Sequence, residues 1–175
     1  MSMIIFIYFA AALMSTALTG QFTNPSKAQR MLKAMSTSNN FIRTQIVNYH
    51  NVFRSSVDPP ASNMLAMKWS NEAATNADKW AAYCSQNHSH PENRTTKYHS
   101  CGENLFMSTS GVSWKYVVNQ WYGENKNVIY GKKSTGKTGH YTQVVWLNSH
   151  QVGCAVHYCP NHQYPFYYVC HYCPI

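Results

Sequence analysis

The chain has 175 residues, 45% of them apolar, and a net charge of +8 from 14 basic and 6 acidic side chains. That length holds one domain with its own core. After the amino terminus no apolar run approaches ~18 residues, which excludes membrane-spanning helices from the rest of the chain.

The opening "MSMIIFIYFAAALMSTALTG" carries an apolar run from Ile4 to Met14, followed by small residues. It reads as a secretory signal peptide over residues 1–20, cleaved between Ala17 and Gln21. Export makes nucleic acid and nucleotides poor partners. A basic surface outside the cell suits sulfated glycans or anionic lipid. Residues 21–40 are polar and read as a flexible lead-in. From there Ile42, Ile46, Tyr49 and Phe53 repeat at helical spacing, until "DPPASN" breaks the pattern. Ser70 caps a second helix with Glu72 in its first turn. Ala73, Ala77, Trp80, Ala81 and Cys84 form its inward stripe. A third helix starts near Ser113, with Trp114, Val117, Trp121 and Glu124 on one stripe. An acid on a buried stripe is costly unless partnered, so Glu124 needs a partner. A short strand is expected after Cys101. The segments "HYTQVVWL", "QVGCAVHYC" and "FYYVCHYC" are rich in aromatic and β-branched residues and read as strands. Helices first and strands last predict an α+β sandwich with a largely antiparallel sheet.

Two motifs invite misreading. Residues 131–138, "GKKSTGKT", satisfy the phosphate-loop pattern. The context is wrong, because a polar tail precedes the motif and an expected strand follows it. No Asp lies downstream of Asp78 to hold magnesium. Cys154, Cys159, Cys170 and Cys173 approach zinc-ribbon spacing. Within each strand, however, the two cysteines are an odd number of residues apart and point to opposite faces. Four thiolates on two faces do not share one tetrahedral ion. Six cysteines in an exported chain read instead as three disulfides, with 15 pairings open on spacing alone. There are two glycosylation sequons, Asn87-His88-Ser89 and Asn93-Arg94-Thr95, of which Asn93 is the better acceptor because a glycan on Asn87 crowds His88. His140 sits where a Gly-rich loop enters an expected strand, a common place for site residues.

The segments "CGENLFMS", "GHYTQVVW", "GCAVHYC" and "YYVCHYCP" together resemble the CAP superfamily. "IVNYHNVFR", "ASNMLAMKWSNEAATNADKWAAYC" and the six-cysteine pattern look most like its cysteine-rich secretory proteins, from about Phe41 to Pro174. The resemblance implies a three-layer α–β–α sandwich and a cleft holding two His and two Glu. By motif these are His88 of "CSQNHS", Glu103 of "CGEN", Glu124 after "QWY", and His140 of "GHYTQ". It implies His88 and His140 as ligands of a weakly held Zn2+, with Glu103 and Glu124 assisting. It also implies the pairs Cys84–Cys159, Cys101–Cys173 and Cys154–Cys170.

The expected function is that of a secreted, non-enzymatic protein acting on an extracellular protein or cell-surface receptor. There is no H-E-x-x-H pair for a metal hydrolase. The resemblance to short, sperm-attracting members points to gamete or reproductive-tract signalling. A sterol or lipid carrier is the alternative. Longer relatives continue past "YCP" into a hinge and a cysteine-dense domain that regulates ion channels. The sequence stops at Ile175, so the expectation is a CAP domain over 41–175 without them. Channel modulation returns as an alternative if the chain is a fragment.

Overall fold

The computed structural model describes residues 26–175, so the signal peptide expected over 1–20 lies outside the described residues. The elements in chain order are α1 (Lys27–Met35), α2 (Asn40–Ser55), β1 (Lys68–Trp69), α3 (Asn71–Tyr83), β2 (Gly102–Ser108), α4 (Trp114–Tyr122), α5 (Gly139–Val144), β3 (Gln151–Tyr158) and β4 (Phe166–Cys173). Short 3-10 turns cover Pro91–Arg94 and Gly123–Asn127. No described helix is long and apolar enough to cross a membrane.

The four strands form one sheet in the order β1-β3-β4-β2. It is mixed rather than purely antiparallel, because β1 runs parallel to β3. β4 is central and all eight of its residues are buried. Alternation along it explains why. Phe166, Tyr168, Cys170 and Tyr172 face Met35 of α1, Ile46 of α2, Trp114, Val117 and Trp121 of α4, and Val144 of α5. Tyr167 and Val169 face Ala77 and Ala81 of α3. Both faces are thus covered by helices, giving the α–β–α sandwich.

α3 comes close enough to require glycine beneath it. A Cβ on Gly153 of β3 would stand 2.1 Å from the Ala74 backbone nitrogen and 2.6 Å from the Ser70 oxygen. Three disulfides join Cys84–Cys159, Cys101–Cys173 and Cys154–Cys170. The last links directly opposed residues of β3 and β4. The first two close loops of 75 and 72 residues, each constraint removing about 4 kcal/mol of unfolded-chain entropy in the simple chain model.

Two expectations are corrected. The flexible lead-in expected over residues 21–40 contains α1. Its capping box joins Ser26 and Gln29, and Ala28, Met31, Leu32 and Met35 pack on the core. Polar neighbours hide this i, i+3, i+4, i+7 stripe. The strand expected at "HYTQVVWL" opens instead with α5. Tyr141 and Val144, three apart, are its buried residues, and its ends are held by groups distant in sequence. Tertiary hydrogen bonds override the β-propensity of the valines.

Gly153→Ala is expected to lower stability by about 1–3 kcal/mol through displacement of α3. Thermal unfolding with disulfides intact measures it as a fall in Tm of several degrees.

Candidate functional site

The four residues expected to converge do so. His88, Glu103, Glu124 and His140 line one cleft of about 430 Å3, with Asn104, Lys137, Thr138 and Gly139. Each arrives on a separately anchored segment. The left-handed backbone of Cys84 (φ 56°) ends α3, and the Cys84–Cys159 bridge fixes the start of the loop that carries His88. Glu103 lies on β2, whose start is bridged to the end of β4 by Cys101–Cys173. Glu124, expected on the helical stripe with Trp114, Val117 and Trp121, lies instead in the 3-10 turn just after α4. His140 opens α5.

Glu103 has a side chain only 1% exposed. One of its oxygens accepts from His88 Nδ1 and from the Ser89 backbone N–H, both at 2.8 Å. The other accepts from His171 Nε2 at 3.0 Å. Burial alone pushes this carboxyl up, but the donors from His171 and Ser89 outweigh it and hold the group down at about 2. Glu124 accepts from His140 Nδ1 at 2.7 Å and from the backbone N–H groups of His140 and Tyr141 at 2.8 and 3.3 Å. Burial raises this carboxyl as well. The hydrogen bonds and charge of His140, with the two backbone donors, bring it below its ordinary value. The same carboxylate caps the first turn of α5, whose own N-cap residue, Thr138, makes no side-chain bond.

Ionised carboxylates only accept, which settles the tautomers. His88 and His140 must each donate from Nδ1, so in the neutral ring Nε2 carries the free lone pair. A carboxylate behind each imidazole is the arrangement that orients and strengthens a histidine ligand for metal. His88 is 63% exposed and His140 35%, so both rings reach solvent from buried anchors. Trp121 stacks beside the His140 ring at 6.4 Å and 22°.

Four participants, Asn104, Tyr172, His50 and His171, are absent from the sequence reading. Asn104 stands next to Glu103, and its Nδ2 donates to the His140 carbonyl at 3.0 Å and to Tyr172 Oη at 3.4 Å. Tyr172 in turn lies 2.9 Å from His50 Nε2, and His50 Nδ1 donates to the Ile46 carbonyl at 2.8 Å. Burial drives His50 down to about 4, against the Ile46 bond and with help from the Arg54 charge. It is therefore neutral at physiological pH and accepts from Tyr172. His171 is fully buried, and among the described residues its Nδ1 finds no partner. Adjacency to Glu103 is a usable signal for Asn104. The pairing of His171 with Glu103 requires the β2–β4 register, which spacing does not supply.

The family model "CAP: Cysteine-rich secretory protein family" matches residues 47–172. Human cysteine-rich secretory protein 2 is 48% identical over 145 residues, covering 81% of this chain and 59% of its own length. Human cysteine-rich secretory protein 3 is 46% identical over the same shares. The chain therefore spans about 59% of the curated relatives it matches. Among solved structures, venom allergen-like protein 4 of Schistosoma mansoni superposes with a TM-score of 0.65 and 26% identity, covering 75% of this chain and 87% of its own. NaASP2 with Zn2+ gives 0.61 and 28%, covering 78% and 80%.

Glu103 contributes stability because its carboxyl is more acidic folded than unfolded. That contribution is full above pH 4.5 and is lost as pH falls toward 2. It amounts to ~3 kcal/mol at most. Chemical denaturation at stepped pH is expected to show this loss in the wild type, and a flatter profile in Glu103→Gln.

Proposed function

The chain belongs to the cysteine-rich secretory protein (CAP) family, and on that premise we propose that it acts outside the cell as a non-enzymatic recognition protein whose His88–His140 cleft takes a zinc ion. The observation that carries the metal reading is the pair of imidazoles that line one cleft, each donating from Nδ1 to a carboxylate and so keeping Nε2 as its free nitrogen. Neutral imidazole nitrogen suits Zn2+. Among the described residues no group of three or more His, Cys, Asp or Glu is arranged to hold a metal. Zinc would thus rest on His88 and His140, complete its shell with water, and bind weakly. Bound there, it would tie the loop after α3 to the start of α5. The solved NaASP2 structure that carries Zn2+ shares 28% identity with this chain, which supports the reading.

The same geometry argues against catalysis. Among the described residues, no Ser or Cys nucleophile lines the cleft. Each carboxylate accepts three hydrogen bonds and is held ionised, so neither is poised as a general acid near neutral pH. The partner is an extracellular protein or a cell-surface receptor, with sulfated glycans favoured by the charge of +8. Gamete or reproductive-tract signalling rests on the resemblance to short family members. Ion-channel modulation is the alternative should this sequence be part of a longer chain, since it spans 59% of the relatives' length.

A second reading has its own observation. An apolar cavity of about 320 Å3 lies between α1, α2 and the approach to α4, lined by Met31, Met35, Ile42, Tyr49, Val112 and Trp114 among others. It favours the sterol or lipid carrier. A fatty acid or cholesterol sulfate seated there is expected to quench Trp114 fluorescence, and Ile42→Lys to abolish the quenching. No change on titration counts against the carrier.

For the cleft, calorimetry near neutral pH is expected to show zinc binding that His88→Ala and His140→Ala each abolish. Glu124→Gln weakens it about 10–100-fold. Acidification releases the ion, because only unprotonated imidazole binds metal. Absence of zinc heat in the wild type would overturn the proposal.

A further inference from the structure

A groove of about 610 Å3 opens between α3 and the 3-10 turn Pro91–Arg94. It is lined by Asn76, Lys79, Trp80, Tyr83, Glu92 and Asn93. Trp80 and Tyr83 form a platform, their rings stacked at 5.7 Å and 20°. Tyr83 is 74% exposed. Trp80 is held in place, because its Nε1 donates to the Asn87 carbonyl at 2.9 Å. Trp80 is half-buried against the core under α3, while Tyr83 beside it stands open to water, and an oriented aromatic edge of this kind is a surface suited to being covered.

The opposite wall supplies a candidate cover. Asn93 heads the sequon Asn93-Arg94-Thr95 and is exposed. The turn that presents it is pinned to the rest of the fold. Asn76 Nδ2 donates to the Thr95 carbonyl at 3.0 Å. Arg94 donates from Nε to the Cys101 carbonyl at 2.9 Å, and from its guanidinium to the Ser89 carbonyl. Asn93 is thereby held at the groove that contains the aromatic platform. The other sequon is built differently. Asn87 Nδ2 donates to the Ser85 carbonyl at 3.2 Å, and its own carbonyl accepts from Trp80 and from Tyr167. Asn87 is thus part of the scaffold that holds the platform.

We propose that Asn93 carries an N-linked glycan whose first sugars lie over Trp80 and Tyr83. In the linking step Asn93 Nδ2 loses a proton and bonds to the anomeric carbon of N-acetylglucosamine. The bond that breaks joins that carbon to a polyprenyl-diphosphate oligosaccharide donor, which departs as the polyprenyl diphosphate. The C–H face of the sugar rests on the electron-rich faces of the rings. Lys79 and Glu92 at the rim offer polar partners to its hydroxyls. The glycan would shield an exposed aromatic patch and leave the His88–His140 cleft open.

The test uses the chain secreted from eukaryotic cells. Peptide mapping is expected to find hexosamine on Asn93, lost in both Asn93→Gln and Thr95→Ala. Hydroxyl-radical footprinting is then run on the folded glycoprotein before and after native removal of the glycan by an amidase. Labelling of Tyr83 and Trp80 is expected to rise severalfold on removal, while the other exposed tyrosines, such as Tyr98, stay constant. Unmodified Asn93 in the secreted protein would overturn the proposal. So would equal labelling of Tyr83 with and without the glycan.

Discussion

The Glu103 carboxylate accepts three hydrogen bonds from two distant parts of the chain: the ring of His88 and the backbone of Ser89 in the loop after α3, and the ring of His171 on β4. The rest of the cleft depends on that convergence. The β2–β4 ladder sets Glu103 directly opposite His171, and the Cys101–Cys173 bridge keeps the ladder closed at that end. With its inner oxygen fixed by a fully buried histidine, the outer oxygen has one direction in which to hold the loop after α3. A buried carboxylate without those donors would be expensive and would neutralise. Here the donors prevail over burial, and the carboxyl stays ionised down to about pH 2.

The second half of the cleft is built on α5, a helix of six residues that its own sequence does not sustain. It is held from both ends. Glu124 accepts the N–H groups of its first turn. At the other end the buried guanidinium of Arg54 donates to the carbonyls of Val144, Trp146, Ser149 and Leu65. Burial lowers Arg54 to about 10, yet it remains charged near neutral pH. A chain of bonds from His50 through Tyr172 and Asn104 to the His140 carbonyl ties α5 to α2 across the core. The disposition of His140 is therefore set by α2, α4 and the sheet together.

Much of this is legible in the sequence. The stripes of α2 and α3, the caps at Ser70 and Ser113, and the strands β3 and β4 follow from periodicity and capping chemistry. The partner demanded for Glu124 also follows from its place beside a buried stripe, and the structure supplies it in His140. The odd spacing within each cysteine pair matches the observed faces, with Cys154 and Cys170 on one side and Cys159 on the other. Two local elements are not legible. α1 sits among polar residues that mask its short apolar stripe and capping box, and contacts of Met35 with Trp114 and Tyr168 tie it to the core. α5 carries valines and aromatics typical of a strand, and long-range bonds decide its form. The roles of His171 and Tyr172 depend on register, which no local pattern contains. The four cleft residues themselves are located through family resemblance, since spacing alone does not bring them together.

Glu103 and Glu124 hold His88 and His140, which line one cleft, as Nδ1–H tautomers with Nε2 unprotonated, and the proposed metal site depends on this. Long-range 1H–15N correlation spectra of the imidazoles near neutral pH test it directly. Protonated Nδ1 and unprotonated Nε2 are predicted in both rings, with a joint displacement of both Nε2 resonances when zinc is added. Nε2-protonated rings, or zinc responses that separate the two histidines, would contradict it.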